Sequence, residues 1–144
     1  MIKIICIGKI KEDYLKEAIN DYIKRISKYT KIEVIELKDS NIKNEQEEIL
    51  RVLNNKDYII SLCIEGDNVS SMELANKIDN TFINYPNITF IIGGSDGIGN
   101  KVKELSNYKL SFSKMTFPHG LFRLILLEQI YRSFKILNNE TYHK

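Results

Sequence analysis

The sequence predicts an α/β protein with a mostly parallel sheet and helices on both faces. Short Ile-rich apolar runs recur along the chain, at Met1–Gly8, Tyr58–Ile64 and Ile88–Ile92. Such near-continuous apolar runs suit strands covered on both sides. Segments with helical apolar spacing separate them. Strands that alternate with helices pack most simply as a parallel sheet between helical layers.

The elements follow in order. Met1–Gly8 is a β-branched strand that stops at Gly8. Lys11–Lys28 places Leu15, Ala18, Ile19, Tyr22, Ile23 and Ile26 on one helical face. Lys31–Leu37 is the second strand, and Lys38–Lys43 a polar turn. Asn44–Asn54 is a short helix carrying Ile49, Leu50 and Leu53. Tyr58–Ile64 is a strand, with Glu65–Asn68 as its turn around Gly66. Ser70 or Ser71 caps a helix running to about Ile83, with Glu73 and Glu65 as candidate first-turn acids. Tyr85-Pro86-Asn87 breaks that helix. Ile88–Ile92 ends abruptly in a glycine cluster, Gly93 to Gly99. A short helix covers Asn100–Ser106, and a strand from Tyr108 to Phe112 leads to a loop. The last helix begins at Pro118, whose missing N–H needs no partner in a first turn. Its start is apolar on nearly every side, from Leu121 to Leu127, apart from Arg123. A run of that kind belongs in a core or a subunit interface, and it is too short to span a bilayer.

At 144 residues the chain fits one domain, and 43% apolar content can bury a core. A formal charge of +2 says little about partners by itself. The basic residues gather between Lys9 and Lys31, where seven stand against four acids. A solvated helix face or a phosphate-facing patch would each produce that pattern. Cys6 and Cys63 lack CxxC spacing and read as small core residues in a reducing compartment. Ile2–Ile7 is too short for a secretory leader, so a cytoplasmic location is expected.

Several site motifs are absent. The glycines read Gly94-x-x-Gly97-x-Gly99, which is not the dinucleotide fingerprint. No phosphate-binding GxxxxGK[ST], HExxH or GxSxG stands in the chain. Two His and two dispersed Cys cannot assemble a zinc set. The remaining candidates converge on the last quarter of the chain. His119 is a helix-start residue or a general base. Arg123 in an apolar run needs an anion, an acid such as Glu128, or a subunit boundary, because Arg is almost never buried unpaired. Glu128 and Arg132 are spaced as an i,i+4 pair. Tyr142 and His143 lie in a polar tail.

Taken together, FIIGGSDG (Phe90–Gly97), SNYKLSFSKMTFPH (Ser106–His119), RxxLxEQxYR (Arg123–Arg132) and the terminal YHK closely resemble one family. It is the SPOUT-class ribosomal RNA large-subunit methyltransferase H family, and IxxIxxGKxK (Ile2–Lys11) is similar to its start. The resemblance covers the whole chain, although the 39–47 region is shorter than in that family. It implies a C-terminal trefoil knot, a homodimer and S-adenosylmethionine as cofactor, with no metal. It implies methylation of N3 of a pseudouridine in 23S ribosomal RNA of the large subunit or assembled ribosome. Position by position, it implies a cofactor pocket built from Leu62, Gly93, Phe112, Ser113, Lys114, Met115, Thr116 and Phe117. Arg123, His143, Tyr142 and His119 are the expected catalytic set, with Arg123 and His143 on the substrate side and Glu128 and Arg132 positioning them. A knotted methyltransferase acting on transfer RNA and a non-catalytic ribosome-associated nucleotide-binding module remain alternatives.

Overall fold

Isoleucine sets the strands. In β1 (Ile2–Ile7) and β4 (Ile88–Ile92), alternate side chains enter opposite helical layers, and both strands are buried almost throughout. The computed structural model describes residues 1–144. The other strands are β2 (Ile32–Leu37), β3 (Tyr58–Asn68) and β5 (Tyr108–Ser111). All five pair in parallel, in the order β2-β1-β4-β3-β5.

The helices are α1 (Asp13–Ile26), α2 (Ile42–Val52), α3 (Ser71–Asn84), α4 (Asn100–Leu105) and α5 (His119–Leu137). One face of the sheet carries α1, α3 and α5, with α5 packed against the other two. Ile4, Cys6, Phe90 and Leu110 meet Leu15, Ile78, Leu126 and Ile130 there. The other face is smaller, and Ile5, Ile7 and Ile91 pack on Ile49, Ile98 and Val102. The helix α3 starts in a capping box, since Ser70 Oγ accepts from Glu73 N–H and Glu73 accepts from Ser70 N–H.

The structure corrects the sequence expectations at several boundaries. Glu65–Asn68 is not a turn, because β3 continues through it to Asn68. The register against β5 shifts between Leu62 and Asp67, a bulge that local apolar pattern does not reveal. Gly66 permits this, since a Cβ there would stand 2.7 Å from the Lys109 carbonyl carbon. The helix α2 begins at Ile42, capped by Asn41 Oδ1 accepting from Asn44 N–H, so the preceding turn is shorter than expected. Pro118 is the N-cap of α5 rather than its first residue. Cys6 is buried, but Cys63 is only half-buried and is not a core residue. The first turns of α5 are less enclosed than their composition suggests, with Leu121 exposed and Phe122, Leu124 and Ile125 half-buried.

Candidate functional site

The carboxyl ends of β3, β4 and β5 open into a cavity of about 730 Å³. Ligands of open α/β sheets bind at strand carboxyl ends, and this volume lies in the range of small-molecule sites. Leu62, Ile92, Ile98, Leu110 and Phe122 give the cavity apolar walls. The loop Gly93–Gly97 gives it polar backbone. A Cβ on Gly93 would stand 2.6 Å from the Gly97 carbonyl carbon and oxygen, so this loop can close only around a bare backbone. The loop is tied by Gly97 N–H donating to Gly94 O at 3.0 Å.

The third wall is the segment after β5. Phe112, Ser113, Met115, Thr116 and Phe117 line the cavity, and the Phe112 and Phe117 rings both pack on Phe122, at 5.2 and 5.9 Å. Ser113 Oγ accepts from Met115 N–H at 3.0 Å, which sets the bend. Lys114 departs from expectation, since it is exposed and does not line the cavity. Leu62 lines the cavity floor and Gly93 its glycine loop.

Sequence reasoning missed Cys63, Glu65, Asp96 and Lys103 on the rim. Glu65 Oε1 pairs with Lys103 Nζ, and hydrogen bonding to that ammonium is the chief cause that holds the Glu65 carboxyl below the usual range. The pair joins β3 to α4 across 38 positions, which no local motif announces. Beneath the glycine loop sits Glu45 of α2, 3% exposed. Its Oε2 accepts from Ser40 N–H at 2.8 Å, and its Oε1 stands 3.1 Å from where a Gly94 Cβ would be. Burial pushes its carboxyl above the ordinary value, with Asp39 and Asp96 adding to the rise.

The four expected catalytic residues do not come together in one chain. His119 lines the cavity and its Nε2 lies against Gly8. Arg123 is 2% exposed and faces away from the cavity. Its Nη1 donates to Glu36 Oε2 of β2, its Nη2 to Gly8 O at 3.1 Å, and its Nε has no partner. Of the partners the sequence left open, Glu128 is engaged with Arg132, the acid found is Glu36, and a substrate-side role does not fit this burial. Arg123 instead clamps the start of α5 to the ends of β1 and β2. The distance in sequence to Glu36 hid that pairing.

Tyr142 and His143 form a second cluster at the far end of α5. Arg132 Nε donates to Glu128 Oε1 at 2.8 Å, and its Nη1 lies 3.2 Å from His143 Nδ1. A guanidinium can only donate, so in this contact His143 Nδ1 is the acceptor and Nε2 is left free to face outward from the pair. The Tyr142 ring packs on Tyr131 at 5.0 Å, with the Arg132 guanidinium 4.8 Å from its centre. Burial and a hydrogen bond with Tyr142 push the adjacent Tyr22 hydroxyl up to about 12. Phe122 and Arg132 are ten positions apart on one helix, about 15 Å along its axis. No three His, Cys, Asp or Glu side chains converge as a metal site, and no helix is long and apolar enough to cross a membrane.

Comparisons with known proteins bear on this arrangement. The family model described as "Predicted SPOUT methyltransferase" matches residues 1–143. A protein of Clostridium beijerinckii named ribosomal RNA large subunit methyltransferase H is 48% identical, covering 99% of both chains. One of the same name from Acetivibrio thermocellus is 46% identical with the same coverage. These alignments span 157 positions, so the relatives carry residues that this 144-residue chain lacks. Among solved structures, a probable methylase family protein from Haemophilus influenzae superposes with a TM-score of 0.59 at 13% identity, covering 99% of this chain and 70% of that one. A tRNA (m1G37) methyltransferase from Aquifex aeolicus gives 0.55 at 13% identity, covering 91% and 69%. At that identity the structures speak to the fold alone.

Proposed function

Because this chain belongs to the ribosomal RNA large subunit methyltransferase H family of SPOUT methyltransferases, we propose that it methylates 23S ribosomal RNA of the large subunit, at N3 of a pseudouridine. The methyl donor is S-adenosylmethionine, whose sulfonium supplies an already activated methyl group when bound. The observation that carries this reading is the cavity at the strand ends. Its apolar walls suit an adenine ring, its bare glycine backbone suits close approach to the nucleoside, and Glu65, Asp96 and Lys103 offer charged partners at the rim. Leu62, Gly93, Phe112, Ser113, Met115, Thr116 and Phe117 would hold the donor. A cytoplasmic enzyme of one domain follows.

On this reading the segment between β5 and α5 is drawn into a trefoil knot. The chain leaves β5 at the sheet edge and returns in α5, which packs between α1 and α3. The enzyme acts as a homodimer, for a geometric reason. The tail bearing Tyr142 and His143 is about three helical turns from its own cavity, so a second copy must bring a tail to it. Exposed Met115, Phe117 and Leu121 beside the cavity supply apolar surface for that contact.

The chain's own residues then have distinct tasks. The imide N3–H of the base must pass its proton to solvent before N3 can take the methyl, and the anion so formed spreads negative charge over N3 and the flanking carbonyls until the N–C bond closes. His143, with Nδ1 accepting from Arg132, presents Nε2–H as a donor to that charge. Tyr142 offers a ring to stack the base and a hydroxyl beside it. Arg132, fixed by Glu128, holds both. Arg123 and Glu36 fix the start of α5, and with it His119 and the cavity wall. Exposed Lys24, Lys28 and Lys31 face the phosphates of the ribosome.

The test incubates purified protein, labelled S-adenosylmethionine, and either large subunits, whole ribosomes or transfer RNA. Label should enter large-subunit RNA and fall steeply with added salt. Label in transfer RNA, or none, would reject the assignment. His143→Ala should lower turnover about a hundredfold while calorimetry shows unchanged cofactor affinity. Equal loss of both would remove His143 from the substrate side.

A further inference from the structure

The tail that follows α5 is polar, and such a terminus frays unless something ties it down. Besides the contacts of Tyr142 and His143 with Tyr131 and Arg132, it is tied upstream at one acid. Glu140 is the only acid in Asn138–Lys144, and two elements share its carboxylate. Tyr29 Oη, in the turn after α1, donates to Oε1 at 2.6 Å. Lys135 Nζ of α5 donates to Oε2 at 2.9 Å. The Glu140 N–H donates back to Lys135 O at 3.0 Å. Just before it, Asn139 has φ of 55°, the one positive value outside glycine, so the chain reverses there. Tyr29 is itself held, stacked on Phe134 at 5.7 Å with ring planes 8° apart. The Lys135 ammonium lies 5.5 Å from the Tyr131 ring and 6.0 Å from the Tyr29 ring. Hydrogen bonds from Tyr29 and then Lys135 hold the Glu140 carboxyl below the usual range.

We propose that Tyr29, Lys135 and Glu140 form a latch that turns the tail back along α5 and delivers Tyr142 and His143 to Arg132. The three are positioning residues, and the proposal rests on the reading that the tail serves the substrate base. Two observations favour positioning over bulk stability. Glu140 lies at the surface, with its side chain 40% exposed, where ion pairs add little to folding. The residues that depend on it begin only two positions later, past a single Thr141. Without the latch, the tail samples many conformers, and turnover falls with the fraction that is correctly turned.

The test compares Glu140→Gln, Tyr29→Phe and the double variant with the parent enzyme, using large subunits as substrate. Each single variant should lower kcat about three- to tenfold. The KM for S-adenosylmethionine should hold, and the unfolding midpoint should stay within about 2 °C. The double variant should be no worse than Glu140→Gln, because both substitutions break one shared contact. Unchanged kcat in Glu140→Gln, while His143→Ala loses activity, would overturn the latch and leave the tail reading intact. Loss of cofactor affinity and stability together with kcat would also overturn it, since that marks a general structural role. Full activity after deletion of residues 141–144 would overturn both readings.

Discussion

At the amino-terminal edge of the sheet, Lys3 Nζ, Asn87 Nδ2 and Thr89 Oγ1 all donate to the carboxylate of Asp57, at 2.9, 3.0 and 3.0 Å. The Met1 ammonium donates to Pro86 O at 3.0 Å, and Ile88 N–H to Met1 O at 3.0 Å. Three strand-edge segments, of β1, β3 and β4, are closed there into one polar net, with Asp57 only 2% exposed. At the carboxyl edge the same strands run into a glycine loop, an exposed segment and a cavity. A parallel sheet has equivalent hydrogen-bonding capacity at both ends. Where side chains use that capacity the end is stable and inert, and where backbone is left bare the end can take a ligand.

The largest effect should come from opening the closed end. Asp57→Ala strands Asn87 and Thr89 and leaves Lys3 without its acid. It should cost about 2–3 kcal/mol in urea unfolding, with cofactor affinity of the folded protein unchanged. A loss under about 1 kcal/mol would mean that the net is not what holds this end. At the open end, Gly93→Ala forces a methyl into the Gly97 carbonyl. Calorimetry with S-adenosylhomocysteine should show affinity falling at least about tenfold, roughly 1.4 kcal/mol, with a smaller change in stability than Asp57→Ala produces. The reverse ranking would erase the contrast between the two ends.

The smallest effect is in pH, where the two buried acids have opposite signs. Burial pulls the Asp57 carboxyl upward, but the hydrogen bonds from Lys3, Asn87 and Thr89 outweigh it and leave it lowered. Its contribution is present above the ordinary value of 3.8 and is lost as pH falls through the lowered one. Glu45 is raised, so its contribution is present below the ordinary value of 4.5 and is lost as pH rises through the raised one. Thermal melts should therefore show Glu45→Gln gaining on the parent above that window and matching it below. The acid-side fall in stability should shrink in Asp57→Asn, leaving only the part due to other lowered carboxyls such as Glu65, and persist in full in Glu45→Gln.

The legible parts of the molecule were those written in neighbouring residues. Ile spacing announced the strands, the Ser70-Ser71 pair ahead of Glu73 announced a helix start, and Glu128 with Arg132 announced an i,i+4 pair. The cavity wall Phe112–Phe117 and the glycine loop could be located because each is one continuous stretch, and the family resemblance then gave them a use. Lys114 alone in that stretch does not line the cavity, and a loop has no fixed periodicity to tell inward from outward in advance. The second half of β3 looked like a turn because Gly66 usually marks one, whereas here it admits the Lys109 backbone. Arg123 with Glu36, Glu65 with Lys103, and Tyr29 with Glu140 were invisible, since each joins elements far apart in the chain.

The sequence alone determined the order of strands and helices and the family, because those depend on periodicity, caps and contiguous motifs. Tertiary structure alone decided that Arg123 is a buried clamp, that Asp57 closes one end of the sheet, and that Tyr142 and His143 lie apart from the cavity in their own chain. Charge partners are chosen by proximity in space, and burial sets their cost. Neither quantity exists until the chain has folded.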